Sequence, residues 1–231
     1  MKVLVYYIFP SLAWKERAQA FYESYQQHAA GIDHDFIVVH KSAFDDPIFD
    51  GQNIVHHSNY GYDIGTLQKL SEQYSDYDVI VQMGGHARIL HDNWLHKIVE
   101  PFKNPKVAMV GTSGSLEQRP HIRTANVAFR PSAMNTVIFP EFLESKESQY
   151  EFEHGENSAY NQLLTSGYLC GMVDKSGTFY TDNWRNTKTY RAGEQENLLV
   201  ADRHTDAYEY GVIGQRIYLR KLAWDDEMDI E

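Results

Sequence analysis

The 231-residue sequence has only one cysteine, Cys170. A single cysteine cannot form an intramolecular disulfide, so a fold held together by disulfides is excluded and nothing indicates an oxidising compartment. The neighbours Leu169 and Gly171 are apolar or small. We therefore expect the thiol to be buried and unreactive.

Long hydrophobic runs are also missing. No stretch of the sequence approaches the ~20 apolar residues that a transmembrane helix needs. The apolar run at residues 3–9 is short, lacks a following small-residue cleavage site and leads into Pro10. This run is predicted to be a buried strand and not a signal peptide. We expect a cytoplasmic protein.

Positive charge is scarce, with 21 Lys and Arg against 32 Asp and Glu and a formal net charge of −11. Proteins that bind nucleic acid through its phosphates need a basic surface. General binding to nucleic acid or to anionic membranes is therefore disfavoured, unless Arg119, Arg123 and Arg130 form a local basic groove. The acidic residues near the C-terminus predict a solvated tail over residues 223–231.

Hydrophobic residues make up 42% of the chain, which is enough for one full core. No linker rich in proline, glycine or serine separates two halves, so one domain over residues 1–231 is predicted. Apolar runs that predict strands alternate with helical patterns through the first ~110 residues, which is typical of βαβ units. The sequence therefore predicts an α/β fold with a mostly parallel sheet flanked by helices. The predicted strands are 3–8, 36–39, 53–57, 78–83, 107–110 and 126–129, and the predicted helices include 66–74, 94–99, 157–166 and 208–222.

Ligands of open α/β sheets bind beyond the carboxyl ends of the strands, so the loops after the strands are the first candidates for a site. After the third strand, Asn59 and Asp63 can hydrogen-bond a base or ribose, and Tyr60 or Tyr62 can stack on it. An ordinary strand-to-helix turn has a similar composition, and the spacing matches neither a P-loop nor a dinucleotide fingerprint. The candidate nucleotide contacts at the strand ends are Pro10, Asn59, Tyr60, Asp63, Gly84 and Gly85.

Several segments resemble glycosyltransferases of the GT-A kind. Residues 59–65 (NYGYDIG), the strand that follows Tyr77-Asp78 and the helix with Trp94-Leu95 look like their nucleotide-sugar half. Three further segments resemble a small branch of these proteins found in polysaccharide gene clusters and some viruses. They are 121–126 (HIRTAN), 152–158 (FEHGENS) and 195–205 (QENLLVADRHT), and the whole resemblance covers roughly residues 55–209 and the first strand.

The resemblance implies a GT-A-like, Rossmann-like fold with a nucleotide-sugar half at about 1–118 and a mixed α+β acceptor half at about 119–222. It implies a hexosyl- or pentosyltransferase, expected to invert configuration, that moves a sugar from a nucleotide-sugar donor to a glycan or lipid-linked acceptor. Transfer to modified bases of viral DNA is one alternative, and a catalytically silent nucleotide- or sugar-binding module is another. The oligomeric state stays open.

The family usually carries Asp-x-Asp after the fourth strand, where it holds a divalent metal on the sugar diphosphate. This chain has Gly84-Gly85-His86 at that place, and its Asp76-Tyr77-Asp78 string precedes the strand. The departure predicts transfer without a metal, in which cationic side chains stabilise the leaving diphosphate. Mn²⁺ or Mg²⁺ held by His86 is the alternative. The candidates for diphosphate or substrate contact are His86, Arg88, His121, Arg123, Arg191, Asp202, Arg203 and His204.

Inverting transfer needs a general base that takes the proton of the acceptor hydroxyl. The resemblance places this base at the start of a helix late in the fold. Glu156 fits that place and Glu153 competes for the role. If configuration is retained, no such base is required.

Overall fold

The computed structural model describes residues 1–141 and 145–224. Within these residues, no helix is both long enough and apolar enough to cross a membrane. Most of the predicted acidic tail, residues 225–231, lies outside the described residues.

Twelve strands and eight α-helices form the described part of the chain. The strands are β1 (Val3–Phe9), β2 (Asp35–His40), β3 (Asn53–His56), β4 (Val79–Met83), β5 (Arg88–Ile89), β6 (Val107–Gly111), β7 (Gly114–Ser115), β8 (His121–Ile122), β9 (Asn126–Phe129), β10 (Leu169–Val173), β11 (Phe179–Tyr180) and β12 (Val200–Ala201). The helices are α1 (Lys15–Gln27), α2 (Tyr62–Gln73), α3 (Trp94–Val99), α4 (Pro131–Met134), α5 (Lys146–His154), α6 (Ala159–Thr165), α7 (Arg203–Glu209) and α8 (Ile213–Trp224).

The main sheet has eight strands in the order β11-β10-β6-β9-β4-β1-β2-β3. β1 pairs in parallel with both β2 and β4, and β10 pairs in parallel with β6. β9 runs antiparallel between β4 and β6, and β11 is an antiparallel edge. The predicted α/β class with a mostly parallel sheet and a more mixed second half is confirmed.

Burial on both faces explains why β1 reads as one continuous apolar run. All seven of its side chains are buried. Leu4, Tyr6 and Ile8 face one hydrophobic cluster, and the alternate residues, such as Val5 and Tyr7, face the other. This period of two is the geometry of a strand with a core on each side.

Helix α2 begins four residues earlier than the sequence pattern predicts. Gly61 precedes it with φ 67°, a left-handed conformation that glycine adopts without strain. One turn later, a Cβ on Gly65 would lie 2.4 Å from the Tyr60 carbonyl oxygen. The glycines of the 59–65 segment therefore serve the turn from β3 into the helix.

The single helix predicted over 208–222 is wrong, because the chain forms α7 and α8 with a break near Gly211. The predicted start of the tail at residue 223 is also wrong. Ala223 and Trp224 are buried, and the Trp224 indole Nε1 donates to the backbone oxygens of Tyr190 at 3.0 Å and Arg191 at 3.2 Å. The end of α8 is therefore part of the core.

Cys170 is buried in β10, as expected. Burial raises the pKa of its thiol to about 12. The thiol is therefore protonated at neutral pH and is a poor nucleophile.

Gly84 allows β4 and β9 to approach closely at the carboxyl edge of the sheet. A Cβ at this position would lie 2.7 Å from the Ala125 carbonyl oxygen, which accepts the Gly84 N–H at 2.8 Å. We expect Gly84→Ala to lower the free energy of unfolding by about 1–3 kcal/mol through overpacking, measured by urea denaturation.

Gly214 is the matched control, since a Cβ there meets nothing within 4 Å. Gly214→Ala should leave the stability unchanged or raise it by about 0.4–1 kcal/mol. Equal losses in the two variants would show that the contact with Ala125 is not what requires glycine at position 84.

Candidate active site

A cavity of about 530 Å³ opens at the carboxyl edge of the parallel strands. Its walls come from the start of α2, the segment between β8 and β9, helix α5, the loop before β12 and the start of α7. Its lining includes charged, histidine and other polar side chains: Asp63, Glu117, His121, Arg123, Thr124, Lys146, Glu153, His154, Tyr190, Arg191, Arg203 and His204.

Arg123 and Asp202 form a buried ion pair in one wall, with Arg123 Nη1 2.8 Å from Asp202 Oδ2. Arg123 also donates to Ser113 Oγ at 3.1 Å. Burial alone would raise the pKa of Asp202, but the Arg123 guanidinium and hydrogen bonds from the start of α7 hold it below its usual range. Asp202 therefore stays a carboxylate at neutral pH.

The same carboxylate begins α7. Asp202 Oδ1 accepts from the backbone N–H of His204 at 2.7 Å and of Thr205 at 3.0 Å. The Thr205 hydroxyl donates back to the Asp202 carbonyl oxygen and accepts its N–H, which completes a capping box. The ion pair thereby fixes the positions of Arg203 and His204 in the first turn of α7.

Two guanidinium groups lie close to the Tyr190 ring. Arg123 lies 4.3 Å and Arg191 4.9 Å from the ring centroid. Cation–π attraction of this kind is stronger where water is excluded, and Tyr190 is buried. Because Trp224 binds the Tyr190 and Arg191 carbonyls, α8 holds this pair of residues in place.

Arg191 is only 4% exposed, and its Nε and Nη1 have no hydrogen-bond partner in the described part of the chain. Its Nη2 lies 3.3 Å from His204 Nδ1. Burial lowers the pKa of this guanidinium, although an arginine stays charged at neutral pH. An unpaired buried cation is costly unless a ligand or ion compensates for it.

The opposite wall carries a positioned carboxylate, Glu153, on α5. Its Oε1 accepts from the Thr124 N–H at 2.7 Å and from the Thr124 hydroxyl at 3.0 Å. Behind it, Gln82 Nε2 donates to the Thr124 carbonyl at 2.5 Å, and Gln82 Oε1 accepts from the Tyr6 hydroxyl. Glu153 is half-buried and lines the cavity.

His121 lines the cavity but is not a cation there. Burial lowers the pKa of its ring below the ordinary value, against the raising effect of Glu153. Its Nδ1 donates to the Arg119 carbonyl at 2.9 Å, so the neutral ring presents Nε2 as an acceptor. A contact between His121 and the diphosphate or substrate stays a prediction, now for a neutral ring, because a buried imidazole loses its proton more readily.

Asp63, from the first turn of α2, is the predicted nucleotide contact that reaches the cavity. Burial raises the pKa of its carboxyl, and Lys41 and Lys146 act in the opposite direction. The other predicted contacts do not line the cavity. Asn59 and Tyr60 are exposed on the turn, and Pro10 is half-buried after β1.

Gly84 and Gly85 are explained by packing within the chain. Gly84 meets the Ala125 carbonyl, and a Cβ on Gly85 would lie 3.1 Å from the Ile8 carbonyl oxygen and 3.2 Å from the Trp14 ring. Both residues are buried. Their proximity to a nucleotide stays a prediction.

The surroundings of His86 do not suit a divalent cation. Its Nε2 lies 2.7 Å from Arg17 Nη1, and the ring packs edge-on against Trp14. Burial, with Arg17 and Arg203 adding to it, lowers the pKa of His86 to about 4. Residues 1–141 and 145–224 contain no group of three or more His, Cys, Asp or Glu side chains arranged to hold a metal.

Two further candidate residues lie outside the cavity lining. Arg88 pairs with Asp206 at 2.7 Å across the β5 and α7 contact. Glu156 has a side chain that is 77% exposed and lies 3.6 Å from Arg119. The prediction that Glu156 opens the late helix is wrong, because α6 begins at Ala159 with Ser158 as its N-cap.

Sequence reasoning did not single out Thr124, Lys146, His154 or Tyr190, which all line the cavity. Thr124 lies in segment 121–126 next to Arg123, and His154 lies in segment 152–158 next to Glu153. Tyr190 adjoins Arg191, and an aromatic next to an arginine in a polar stretch was an available signal. Lys146 has no local pattern that identifies it.

No protein-family model matches the chain, and no curated protein is similar to it. Among the solved structures, it is similar to S. aureus TarS 1–349, with 12% sequence identity and a TM-score of 0.47. The similarity covers 69% of this chain and 55% of that one, so the chain spans little more than half of that structure.

The ion pair between Arg123 and Asp202 offers a test of the site's framework. Asp202→Ala removes both the charge and the cap, and we expect it to lower the free energy of unfolding by about 3–5 kcal/mol, because Arg123 is left buried and uncompensated. Asp202→Asn keeps an N-capping oxygen and should lose about 0.5–2 kcal/mol less. Chemical denaturation measures both values.

Arg216→Gln is the control, since it breaks the exposed pair with Glu194. Exposed pairs of this kind contribute about 0–1 kcal/mol. A loss in Asp202→Ala no larger than in this control would refute the structural role of the buried pair.

Proposed function

We propose that the protein is a glycosyltransferase that moves a sugar from a nucleotide-sugar donor to a glycan or lipid-linked acceptor. One observation carries the proposal. The three segments that resemble the GT-A branch are far apart in sequence, yet they contribute Arg123, Glu153 and His204 to the same cavity. The cavity lies at the edge of the sheet where α/β proteins bind their ligands.

The proposal assigns the general base to Glu153 and not to Glu156. In an inverting displacement, the acceptor hydroxyl oxygen forms a bond to the anomeric carbon and its proton passes to the Glu153 carboxylate. The bond from that carbon to the diphosphate oxygen breaks, and its electron pair stays on the diphosphate. Hydrogen bonds from Thr124 to Oε1 keep the carboxylate aimed into the cavity.

The proposal assigns the stabilisation of the negative charge that develops on the diphosphate to Arg123, Arg191, Arg203 and His204. These groups all line the cavity, and fixed cations and N–H donors stabilise charge in the transition state without reorganisation. The place where the family holds its metal carries His86 and Arg17 here. The proposed reaction therefore uses no metal, and no step is routed through one.

A catalytically silent nucleotide- or sugar-binding module is the second candidate, favoured by the missing Asp-x-Asp. Transfer to viral DNA loses its structural support, because Arg123 is buried with Asp202 and Arg130 donates to the backbone carbonyls of Phe102 and Val107. These two arginines do not form a basic groove with Arg119. The halves at about 1–118 and 119–222, one domain and a cytoplasmic location belong to the same proposal.

A thermal-shift screen against UDP, GDP, CMP, dTDP and their sugar conjugates tests the donor class. A ligand present at 100 times its dissociation constant adds about 2.7 kcal/mol of stability, which gives a clear shift. Stabilisation by one nucleotide, followed by transfer from its sugar conjugate, is the expected result. Binding without transfer or hydrolysis would favour the silent module.

Substitution of the two glutamates separates their roles. Glu153→Gln keeps the shape and the hydrogen bonds to Thr124 but removes the base, so turnover should fall about 10²–10⁴-fold. Glu156→Gln changes an exposed side chain and should keep turnover close to that of the native protein. The opposite pattern in a single-turnover transfer assay would reassign the base.

Metal dependence is the third test. We expect transfer to persist in EDTA, because the charge of the leaving group is stabilised by arginines. Loss of activity in EDTA and recovery with Mn²⁺ would overturn the metal-free proposal and make His86 a candidate ligand. A His86→Ala variant would then lose the Mn²⁺ response.

A further inference from the structure

Two guanidinium groups, those of Arg191 and Arg203, lie beside the His204 ring, and a third, that of Arg123, lines the same cavity. Arg123 is paired with the Asp202 carboxylate. Arg191 and Arg203 form no salt bridge with any described residue, although Glu117 also lines the cavity. The cluster therefore has an excess of positive charge in a wall where Arg191 is almost fully buried.

His204 faces a cation on each side of its ring. Arg191 Nη2 lies 3.3 Å from Nδ1, and Arg203 Nη2 lies 3.4 Å from Nε2. A neutral imidazole has one acceptor nitrogen and one N–H. One of the two arginines therefore points its N–H donors at a ring N–H and forms no hydrogen bond with the ring.

An oxyanion between these groups resolves both conflicts. It accepts from Arg191 and Arg203, which form no salt bridge with a described residue, and from a ring N–H of His204. Guanidinium groups bind phosphate oxygens in this way, with charge-assisted hydrogen bonds. Arg191 Nε and Nη1, which are buried without a hydrogen-bond partner among the described residues, independently indicate that this wall binds an anion.

We propose that Arg191, Arg203 and His204 form a subsite for a phosphate-type dianion, and that His204 takes up a proton when the dianion binds. The identity of the dianion as part of a sugar-transfer substrate rests on the proposed function. The dianion belongs either to the diphosphate of the donor or to a phosphate on the acceptor. The binding of the oxyanion itself does not depend on which of these two molecules carries it.

The proton uptake follows from the charges that face His204. In the free protein, burial lowers the pKa of His204 to about 4, with further lowering by Arg123, Arg203 and Arg191 against the raising effect of Asp202. A dianion at the ring neutralises the arginines and favours the imidazolium. The bound complex then holds a proton that the free protein lacks at pH 6.

Sulfate is the probe, because it stays a dianion between pH 8 and pH 6, whereas phosphate titrates in this range. Isothermal titration calorimetry of the native protein should show tighter sulfate binding at pH 6 than at pH 8, by at least about threefold. Repeating the titration in two buffers of different ionisation enthalpy measures the proton uptake directly. Binding that is independent of pH, without proton uptake, overturns the role of His204.

Variants assign the effect to residues. Arg191→Gln should weaken sulfate binding about tenfold or more at both pH values, as expected for the loss of a charge-assisted contact. His204→Gln should bind sulfate without the pH dependence, and Arg216→Gln, outside this cavity, should behave as the native protein. Unchanged binding in Arg191→Gln, in a variant shown to be folded by circular dichroism, overturns the subsite.

Competition identifies the source. Displacement of sulfate by a nucleoside diphosphate assigns the subsite to the donor, and simultaneous binding of both assigns it to an acceptor phosphate. Sulfate binding with proton uptake in a protein that transfers no sugar would defeat the proposed function and leave the subsite standing. Sugar transfer by a protein that does not bind sulfate would defeat the subsite alone.

Discussion

The ion pair between Arg123 and Asp202 is the interaction on which the site depends. It joins the segment before the central antiparallel strand to the helix that begins at Asp202. The same carboxylate caps that helix, and the same guanidinium packs on Tyr190. Burial makes the pair expensive to break, because neither charge has water to replace its partner. This contact therefore sets the positions of Arg203 and His204 relative to the sheet, while Trp224 holds Tyr190 and Arg191 in place.

Most of the fold could be predicted from the sequence because the buried strands carry their signal locally. A strand such as Val3–Phe9 is covered on both faces, and its continuous apolar run has few other interpretations. The end of the chain was harder to predict. Gly211 interrupts a pattern that otherwise continues, and the burial of Trp224 depends on carbonyl groups at positions 190 and 191, more than thirty residues away.

The candidate site was predictable as a set of residue types and less so as a geometry. Glu153 and Glu156 are indistinguishable by composition, and they are separated by the contacts of Thr124 with Glu153 and by the exposure of Glu156 outside the cavity lining. The glycines at 84 and 85 look like a ligand-binding turn, but the chain itself fills the space beside them. His121 and His86 are candidates for contact with a diphosphate, and burial lowers the pKa of both rings, which the sequence alone does not indicate. Such effects depend on neighbours that are distant in sequence.

The contacts of the Trp224 indole imply an order in which the sheet and the cavity wall form. Trp224 is the last residue of the final described helix, and it binds the two carbonyls that carry Tyr190 and Arg191. During synthesis, the parallel strands of the first half can pair long before this residue leaves the ribosome. The cationic wall cannot be completed until then. A chain that lacks Trp224 would therefore keep the strands of the first half but lose the anchor of Tyr190 and Arg191 in the cavity wall.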